Sequence, residues 1–187
     1  MGKVYELLTP ELQQWLTQQK VFFVATAPSS QAGHINCSPK GGDTFRILGE
    51  HEVAYLDLTG SGIETAAHIQ ENGRIVIMFC AFDGPPKIVR LHGKGEVVYP
   101  SDPDFARLQA CFASQAGIRA FIRVKVTRIS DSCGHGVPLM AFVGHRDLIE
   151  KWSMTKGQEW LAEYRASKNQ ASIDGITGYK GPQQSPS

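Results

Sequence analysis

Residues 34–74 carry most of the information about the fold, and they read HINCSPKGGDTFRILGEHEVAYLDLTGSGIETAAHIQENGR. A glycine-rich turn at 38–42 precedes the strand-like segment 53–58, and the small residues 59–62 then lead into a helix that stops at Asn72-Gly73. Glycines let a backbone approach a ligand closely, and the first turn of a helix presents free N–H groups to negative charge. The two loops therefore predict a pocket for an anion such as a cofactor phosphate.

The segments on either side of this stretch indicate a mainly β protein. Thr9 and Pro10 predict the start of a first helix, because they are suited to the N-cap and first helical positions. Apolar runs with turn residues between them predict strands, and helical spacing predicts three more helices. The predicted strands are 20–27, 34–38, 45–48, 52–58, 74–82, 87–98 and 118–129, and the helices are 61–72, 102–114 and 147–168. Hairpin connections between most strands predict an antiparallel barrel with peripheral helices.

Composition limits the classes of protein that this chain can belong to. Its 187 residues fit one domain, and no internal repeat or change of composition marks a second one. The net charge of +1 is unlike the basic surface of a nucleic-acid binder, so no nucleic-acid partner is expected. No apolar run approaches the roughly 20 residues that span a bilayer, and residues 1–8 lack the apolar stretch of a signal peptide. We therefore expect a cytoplasmic protein without a membrane partner.

The cysteines and histidines do not predict a metal site. The four cysteines are widely separated and form no CxxC pair, which argues against a zinc ribbon or a thioredoxin-like dithiol. Cys133 and His135 are the only neighbouring Cys and His, and two ligands fall short of a zinc site. We expect four free thiols and no bound metal.

The helix start at 61–64 and the turn at Lys40 each have two interpretations. Ser61 as N-cap and Glu64 three residues later form the pattern of a capping box, which is compatible with a phosphate contact by the Ser61 hydroxyl. Lys40 is either a phosphate ligand or a solvated turn lysine, and Pro39 and Gly41 favour the first by fixing the loop around it.

Several segments together resemble the pyridoxamine 5′-phosphate oxidase-like, FMN-binding split barrels. They are residues 22–27, 34–42, 55–58, 67–74 and a strand that ends in Leu91-His92-Gly93. The resemblance covers roughly residues 10–130, and residues 168–175 resemble the tail of one uncharacterised branch of the same superfamily. It implies a six-stranded antiparallel split β-barrel that forms a homodimer and binds FMN at the subunit interface. The expected organisation is one FMN-binding domain over residues 1–177, with a C-terminal helical extension, and a flexible tail at 178–187.

The resemblance also implies a set of cofactor-binding residues. Lys40 matches a basic residue that faces the phosphate in that family, but Glu64 and Thr65 stand where the family has an Arg-Lys pair. The small residues 59–62 are expected to compensate through hydroxyl and N–H groups, with Arg46 and Arg74 as further sources of charge. The nominated cofactor-binding residues are Lys40, Gly41, Arg46, Tyr55, Leu56, Ser61, Gly62, Thr65, Arg74, Lys87 and Arg90. No catalytic residue is identified.

Some of these residues have a second interpretation as structural residues. By residue type alone, Tyr55 and Leu56 are typical of a core, and only the resemblance makes them flavin contacts. Arg90 lies in an apolar strand and fits either an ion pair at an interface or a cofactor contact. In the dimer, Lys87 or Arg90 of one subunit is expected to reach the cofactor that Lys40 of the other subunit holds.

Three functions follow from these observations. The first is an FMN-dependent oxidoreductase with a small-molecule substrate that the sequence does not identify, since no counterpart of the family enzyme's substrate-binding Arg and His segment follows Asp131. The second is a split barrel that binds haem, with His135 or His145 as axial ligand, or a deazaflavin. The third is a non-catalytic dimeric binding module whose cofactor site has decayed, which Glu64 favours.

Overall fold

The computed structural model describes residues 2–113 and 115–181, which form one antiparallel sheet with four helices. The strands are β1 (Val4–Tyr5), β2 (Val21–Thr26), β3 (Asn36–Gly41), β4 (Phe45–Gly49), β5 (Glu52–Leu58), β6 (Arg74–Cys80), β7 (Ile88–Val98) and β8 (Ile118–Ser132). The helices are α1 (Pro10–Gln18), α2 (Glu64–Asn72), α3 (Phe105–Gln109) and α4 (Leu148–Lys168). No helix within the described residues is long and apolar enough to cross a membrane.

The sheet curls into a split barrel. Its strand order is β3-β2-β6-β7-β8-β5-β4, and β1 pairs with β8. Although β2 and β5 lie near opposite ends of that order, the rings of Phe22 and Tyr55 meet in the interior with centroids 5.7 Å apart. Phe45 and Phe79 complete this aromatic cluster, with centroids 5.0 Å apart. Such contacts across the inside require a closed curve, and α1 covers one opening with the fully buried Leu12 and Leu16.

Two of the three interruptions in the described strand pairing lie opposite β8. The pairing of β7 with β8 shifts between His92 and Gly93, and a Cβ on Gly93 would lie 2.3 Å from the Lys125 carbonyl oxygen. Only glycine fits this close approach of the two backbones. The pairing of β5 with β8 shifts at Asp57 and leaves Arg119 outside the register, so this second bulge can direct the Arg119 side chain inward.

The sequence placed most of these elements correctly, and the split-barrel fold is confirmed. The described residues form eight strands, whereas the resemblance implied six and the residue pattern predicted seven. The two-residue β1 was missed because it carries too little pattern to be detected. The predicted turn at 38–42 was wrong, since β3 continues to Gly41 and the chain turns at Gly42, where φ is +71°. The predicted helix at 102–114 shortens to the five residues of α3.

The C-terminal region packs on the barrel. Helix α4 is interrupted at Gly157, where φ is +78°, and its Leu161 is fully buried. After the helix, the chain returns across the barrel, so that Tyr179 stacks edge-on against Tyr99 with ring centroids 5.1 Å apart. The packed part of the chain therefore extends beyond the predicted boundary at residue 177. The rest of the predicted tail, residues 182–187, lies outside the described residues.

Candidate functional site

A cavity of about 300 Å³ lies where β3 and β5 end and α2 begins. Five of the residues that the sequence nominated line it: Lys40, Gly41, Leu56, Gly62 and Thr65. Ser61 lies in the same loop and is exposed. The structure thus brings together the two segments whose composition predicted an anion pocket, although the first is the end of β3 and not a loop.

Strand β3 supplies one wall of this cavity. Asn36, Ser38 and Lys40 are alternate residues of the strand, so they share one face, and all three line the cavity. The Ser38 hydroxyl donates to Asn36 Oδ1 over 3.1 Å. The half-buried Lys40 ammonium makes no hydrogen bond or ion pair to any residue in 2–113 or 115–181. Asn36 and Ser38 were not nominated from the sequence, although their alternation with Lys40 is the signal that marks a polar strand face.

The first turn of α2 supplies the facing wall. Asn36 Nδ2 donates to Thr65 Oγ1 over 2.9 Å and connects the two walls. The predicted capping box was wrong, because the helix begins at Glu64 with Ile63 as N-cap and without a capping side chain. The Glu64 carboxylate instead folds over the loop, where a Cβ on Gly62 would lie 2.8 Å from its Oε2 atom. A negative charge therefore stands at the mouth of the predicted anion pocket.

A buried ion pair forms the floor. Arg119 Nε donates to Asp57 Oδ2 over 2.7 Å, and both side chains, which line the cavity, are at most 5% exposed. Burial alone would lower the pKa of the Arg119 guanidinium, but the charge and hydrogen bond of Asp57 raise it, so the group stays cationic. Arg119 is thus a cation at the site that the sequence did not nominate, since only the β-bulge in β8 reveals where it points.

Behind the cavity, Thr26 connects Asn36 to a buried histidine. Asn36 Nδ2 lies 3.4 Å from Thr26 Oγ1, which in turn lies 3.0 Å from His68 Nδ1. His68 is completely buried, and its Nε2 atom has no hydrogen-bond partner in the described part of the chain. Burial lowers the pKa of His68, so the imidazole is held neutral.

The burial of His68 predicts a loss of stability in mild acid. A histidine in the unfolded chain titrates near 6.5, above the folded value, so the unfolded state binds its proton first as the pH falls. The contribution of His68 to the free energy of unfolding should therefore stay constant at neutral pH and decrease once the pH falls below about 6.5. Thermal melts between about pH 7.5 and 5.5 should give a shallower decline for His68→Gln than for the wild type, whereas the exposed His135→Gln should melt in parallel with the wild type. Parallel curves for all three would show that His68 does not cause the decline.

A larger cavity of about 660 Å³ adjoins the first and shares Lys40, Gly41 and Thr44 with it. Its apolar lining includes Phe23, Leu58, Phe82, Met140, Phe142 and Ile149. The segment 139–147 forms its outer wall and is tied down by two hydrogen bonds, Met140 N–H to the Phe82 carbonyl and Gly42 N–H to His145 Nδ1. The volume and the apolar lining are typical of a pocket for a small organic ligand.

The other nominated residues lie away from both cavities. Arg46 forms a two-point ion pair with Asp43 and stacks over Phe112, with 4.8 Å to the ring centroid. Arg74 is exposed and donates to the Pro28 carbonyl. Neither residue lines either cavity, so the structure does not bring these two cations together with Lys40.

Tyr55 lies in the barrel interior and not at the site. It is fully buried, its hydroxyl has no partner among the described residues, and burial raises its pKa well above the ordinary value. Lys87 lies over the rings of Tyr5 and Trp15, and Arg90 donates to Ser132 Oγ. A contact of Lys87 or Arg90 with a partner subunit's cofactor stays a prediction.

The histidines proposed for haem do not share one environment. His135 is exposed on the loop after β8, whereas His145 accepts from Gly42 and lines the larger cavity. No group of three or more His, Cys, Asp or Glu side chains in residues 2–113 and 115–181 is placed to hold a metal ion. The four cysteines are free thiols, of which only Cys80 is buried.

Comparison with known proteins identifies a family and a relative that this chain resembles in sequence. Residues 8–133 match the sequence family described as pyridoxamine 5′-phosphate oxidase. The chain is 37% identical to the pyridoxamine 5′-phosphate oxidase family protein ustO of Aspergillus flavus, over 93% of this chain and 76% of that protein.

Two crystal structures show the same fold. HupZ of Group A Streptococcus is 20% identical, with 71% of this chain and 98% of that one covered and a TM-score of 0.52. A Lactobacillus delbrueckii protein described provisionally as a pyridoxamine 5′-phosphate oxidase is 16% identical, with 68% and 98% covered and a TM-score of 0.52. At such identities the likeness concerns the fold alone.

Proposed function

The chain belongs to the pyridoxamine 5′-phosphate oxidase family, and from this premise we propose that it is a flavoprotein that binds FMN without a covalent bond and acts as an oxidoreductase on a small molecule. The observation that carries the proposal is the cavity in which Lys40 faces the start of α2. A cation opposite a helix N-terminus suits a phosphate group, because both favour negative charge. The bound flavin would supply the redox chemistry.

The two cavities suit different parts of FMN, the small one its phosphate and the larger one its ring system. At the small cavity, the Thr65 hydroxyl and the Lys40 ammonium are donors suited to phosphate oxygens, whereas the Ser38 hydroxyl already donates to Asn36. The adjoining larger cavity is mainly apolar and suits an aromatic ring system, with room for a small substrate. Among the described residues that line the small cavity, Asp57 is neutralised by Arg119, whereas Glu64 has no cationic partner. Glu64 therefore disfavours an anion here and supports the alternative of a decayed site.

Titration of the purified protein with FMN tests the proposal. We expect quenching of flavin fluorescence and a shifted flavin absorption spectrum on binding. Riboflavin, which lacks the phosphate, should bind more weakly, since Lys40 and the α2 start would have no anion to contact. Protein that shows no flavin spectrum as purified and binds no added FMN would contradict the proposal, and a Soret band would favour haem instead.

Replacing Glu64 with arginine should raise the affinity for FMN. The substitution removes a carboxylate from the mouth of the pocket and puts a guanidinium near a dianion, which is worth several tenths to a few kcal/mol, or roughly 2- to 100-fold in affinity. The matched control is Glu50→Arg, which makes the same charge change on an exposed loop that lies outside this cavity. Equal affinities for Glu64→Arg and wild type would show that Glu64 does not face the phosphate, and tight binding by the wild type would exclude a decayed site.

We also propose that the functional unit is a homodimer. An exposed apolar surface runs along the segment that closes the larger cavity and continues into α4, with Leu139, Met140, Phe142, Val143, Leu148, Ile149 and Met154 at least 47% exposed. A stable monomer seldom exposes so much contiguous apolar surface. Sedimentation at micromolar concentration should give the mass of two chains, joined by an interface of more than roughly 2,000 Å². A monomer that binds FMN would show that one chain builds the whole site.

A further inference from the structure

Two buried side chains hold the loop that leads into α2. Asn169, which is fully buried just after α4, donates through Nδ2 to the carbonyl oxygens of Gly60 over 2.9 Å and Ser61 over 3.3 Å. Arg119 Nη1 donates to the Gly62 carbonyl over 2.9 Å and to Asn169 Oδ1 over 2.8 Å. Three consecutive carbonyl groups of the loop are therefore bonded from one side.

This arrangement fixes the direction of the loop's N–H groups. In a trans peptide, the C=O and N–H of one unit point in opposite directions. The N–H groups of Ser61, Gly62 and Ile63 therefore point away from Asn169 and Arg119, and none of them has an acceptor among the described residues. Gly60 and Gly62 line the small cavity, so this is the loop that a ligand in that cavity would meet. Successive N–H groups of this kind bind anions.

We propose that Asn169 is a positioning residue for the phosphate-binding loop, acting together with Arg119, and that it compensates for the Glu64 and Thr65 that replace cations of the family pattern. This inference rests on the proposed function. It gives a role to the C-terminal extension, since Asn169 lies outside the residues that match the family. Asn169 acts through the loop and does not line the cavity itself.

Backbone hydrogen bonds to residues before and after it in the chain hold Asn169 in place. Its N–H donates to the Arg165 carbonyl over 3.0 Å, and its carbonyl accepts from Tyr179 N–H over 2.7 Å. A Cβ on Gly178 would lie 2.4 Å from the Asn169 carbonyl oxygen, so the returning chain packs directly on it. Arg165 also donates to Thr59 Oγ1 over 3.1 Å, one residue before the loop. The extension therefore clamps the loop through two side chains, Asn169 and Arg165.

The test compares FMN with riboflavin in two substitutions of Asn169. Asn169→Ala removes the side chain, and Asn169→Asp retains the acceptor for Arg119 while it removes the donors to Gly60 and Ser61. Both should weaken FMN binding about tenfold and change riboflavin binding less than twofold, because only FMN carries the phosphate. The control is Ser172→Ala, which removes a buried hydroxyl that accepts from Ile176 N–H in the same segment without contact to the loop. Equal losses for both ligands, or no loss, would overturn the proposal.

A second measurement on ligand-free protein separates this inference from the proposed function. The ¹⁵N order parameters of Gly60 and Gly62 should fall from about 0.85 in wild type and Ser172→Ala to below about 0.6 in Asn169→Asp. If the wild type binds no FMN but the order parameters still fall in Asn169→Asp, the flavin function is contradicted and the positioning role stands. Unchanged order parameters in Asn169→Asp would overturn the positioning role whatever the ligand.

Discussion

Replacing Arg119 with methionine should lower the free energy of unfolding by about 3–5 kcal/mol, the largest loss we expect from a single substitution near the site. The reason is the Asp57 carboxylate, which is 2% exposed and would be left without its cation. The loss comes mainly from that uncompensated charge, because methionine fills much of the space of the arginine stem. Urea denaturation monitored by tryptophan fluorescence measures it.

The double variant Asp57→Asn, Arg119→Met shows whether the stranded charge is the cause. If it is, removing the carboxylate as well should recover more than half of the lost stability, since a buried pair contributes much less than its broken half costs. The exposed pair of Arg107 with Asp104 provides a control, and Arg107→Met should cost less than about 1 kcal/mol. A double variant as unstable as Arg119→Met would assign the loss to the loop carbonyls that Arg119 also binds.

The parts of the structure that the sequence predicted are those with a local signal. Strands such as β2 and β5 were predictable because their apolar residues recur with strand periodicity or fill a buried run. The segment around Lys40, which forms the end of β3, and the loop before α2 were predictable as partners because small residues and a lysine suit an anion. These are local signals, and the structure confirms that Lys40 and Gly62 line one cavity.

The rest of the site depends on contacts between residues far apart in the chain. Arg119 and Asp57 are 62 positions apart, and Asn169 and Gly60 are 109 apart, so no local pattern connects them. The predicted capping box was wrong for a related reason, because buried donors hold the carbonyls of the loop and the helix starts at Glu64.

Arg46 is a different case, because its partner is local. The sequence suggested a free cation, but Asp43, three residues earlier, pairs with it.

Replacing Lys40 with alanine should weaken FMN binding about 10- to 100-fold, which corresponds to a lost charge-assisted contact of roughly 1.5–3 kcal/mol. Lys40 lines both cavities, and no described residue neutralises its charge. A bound phosphate would therefore be its counter-ion. Fluorescence titration at fixed ionic strength measures the affinity, and higher salt should narrow the difference between variant and wild type.

The control for Lys40 is Lys125→Ala, which removes one positive charge from an exposed position on β8, away from both cavities. It should change FMN affinity less than twofold, and riboflavin should bind to Lys40→Ala and wild type alike, because neither complex contains the phosphate contact. Together these results would assign the loss to a direct contact and not to net charge. If FMN affinity is unchanged in Lys40→Ala, Lys40 is a solvated strand residue, and the loop that Asn169 and Arg119 hold must bind the phosphate without it.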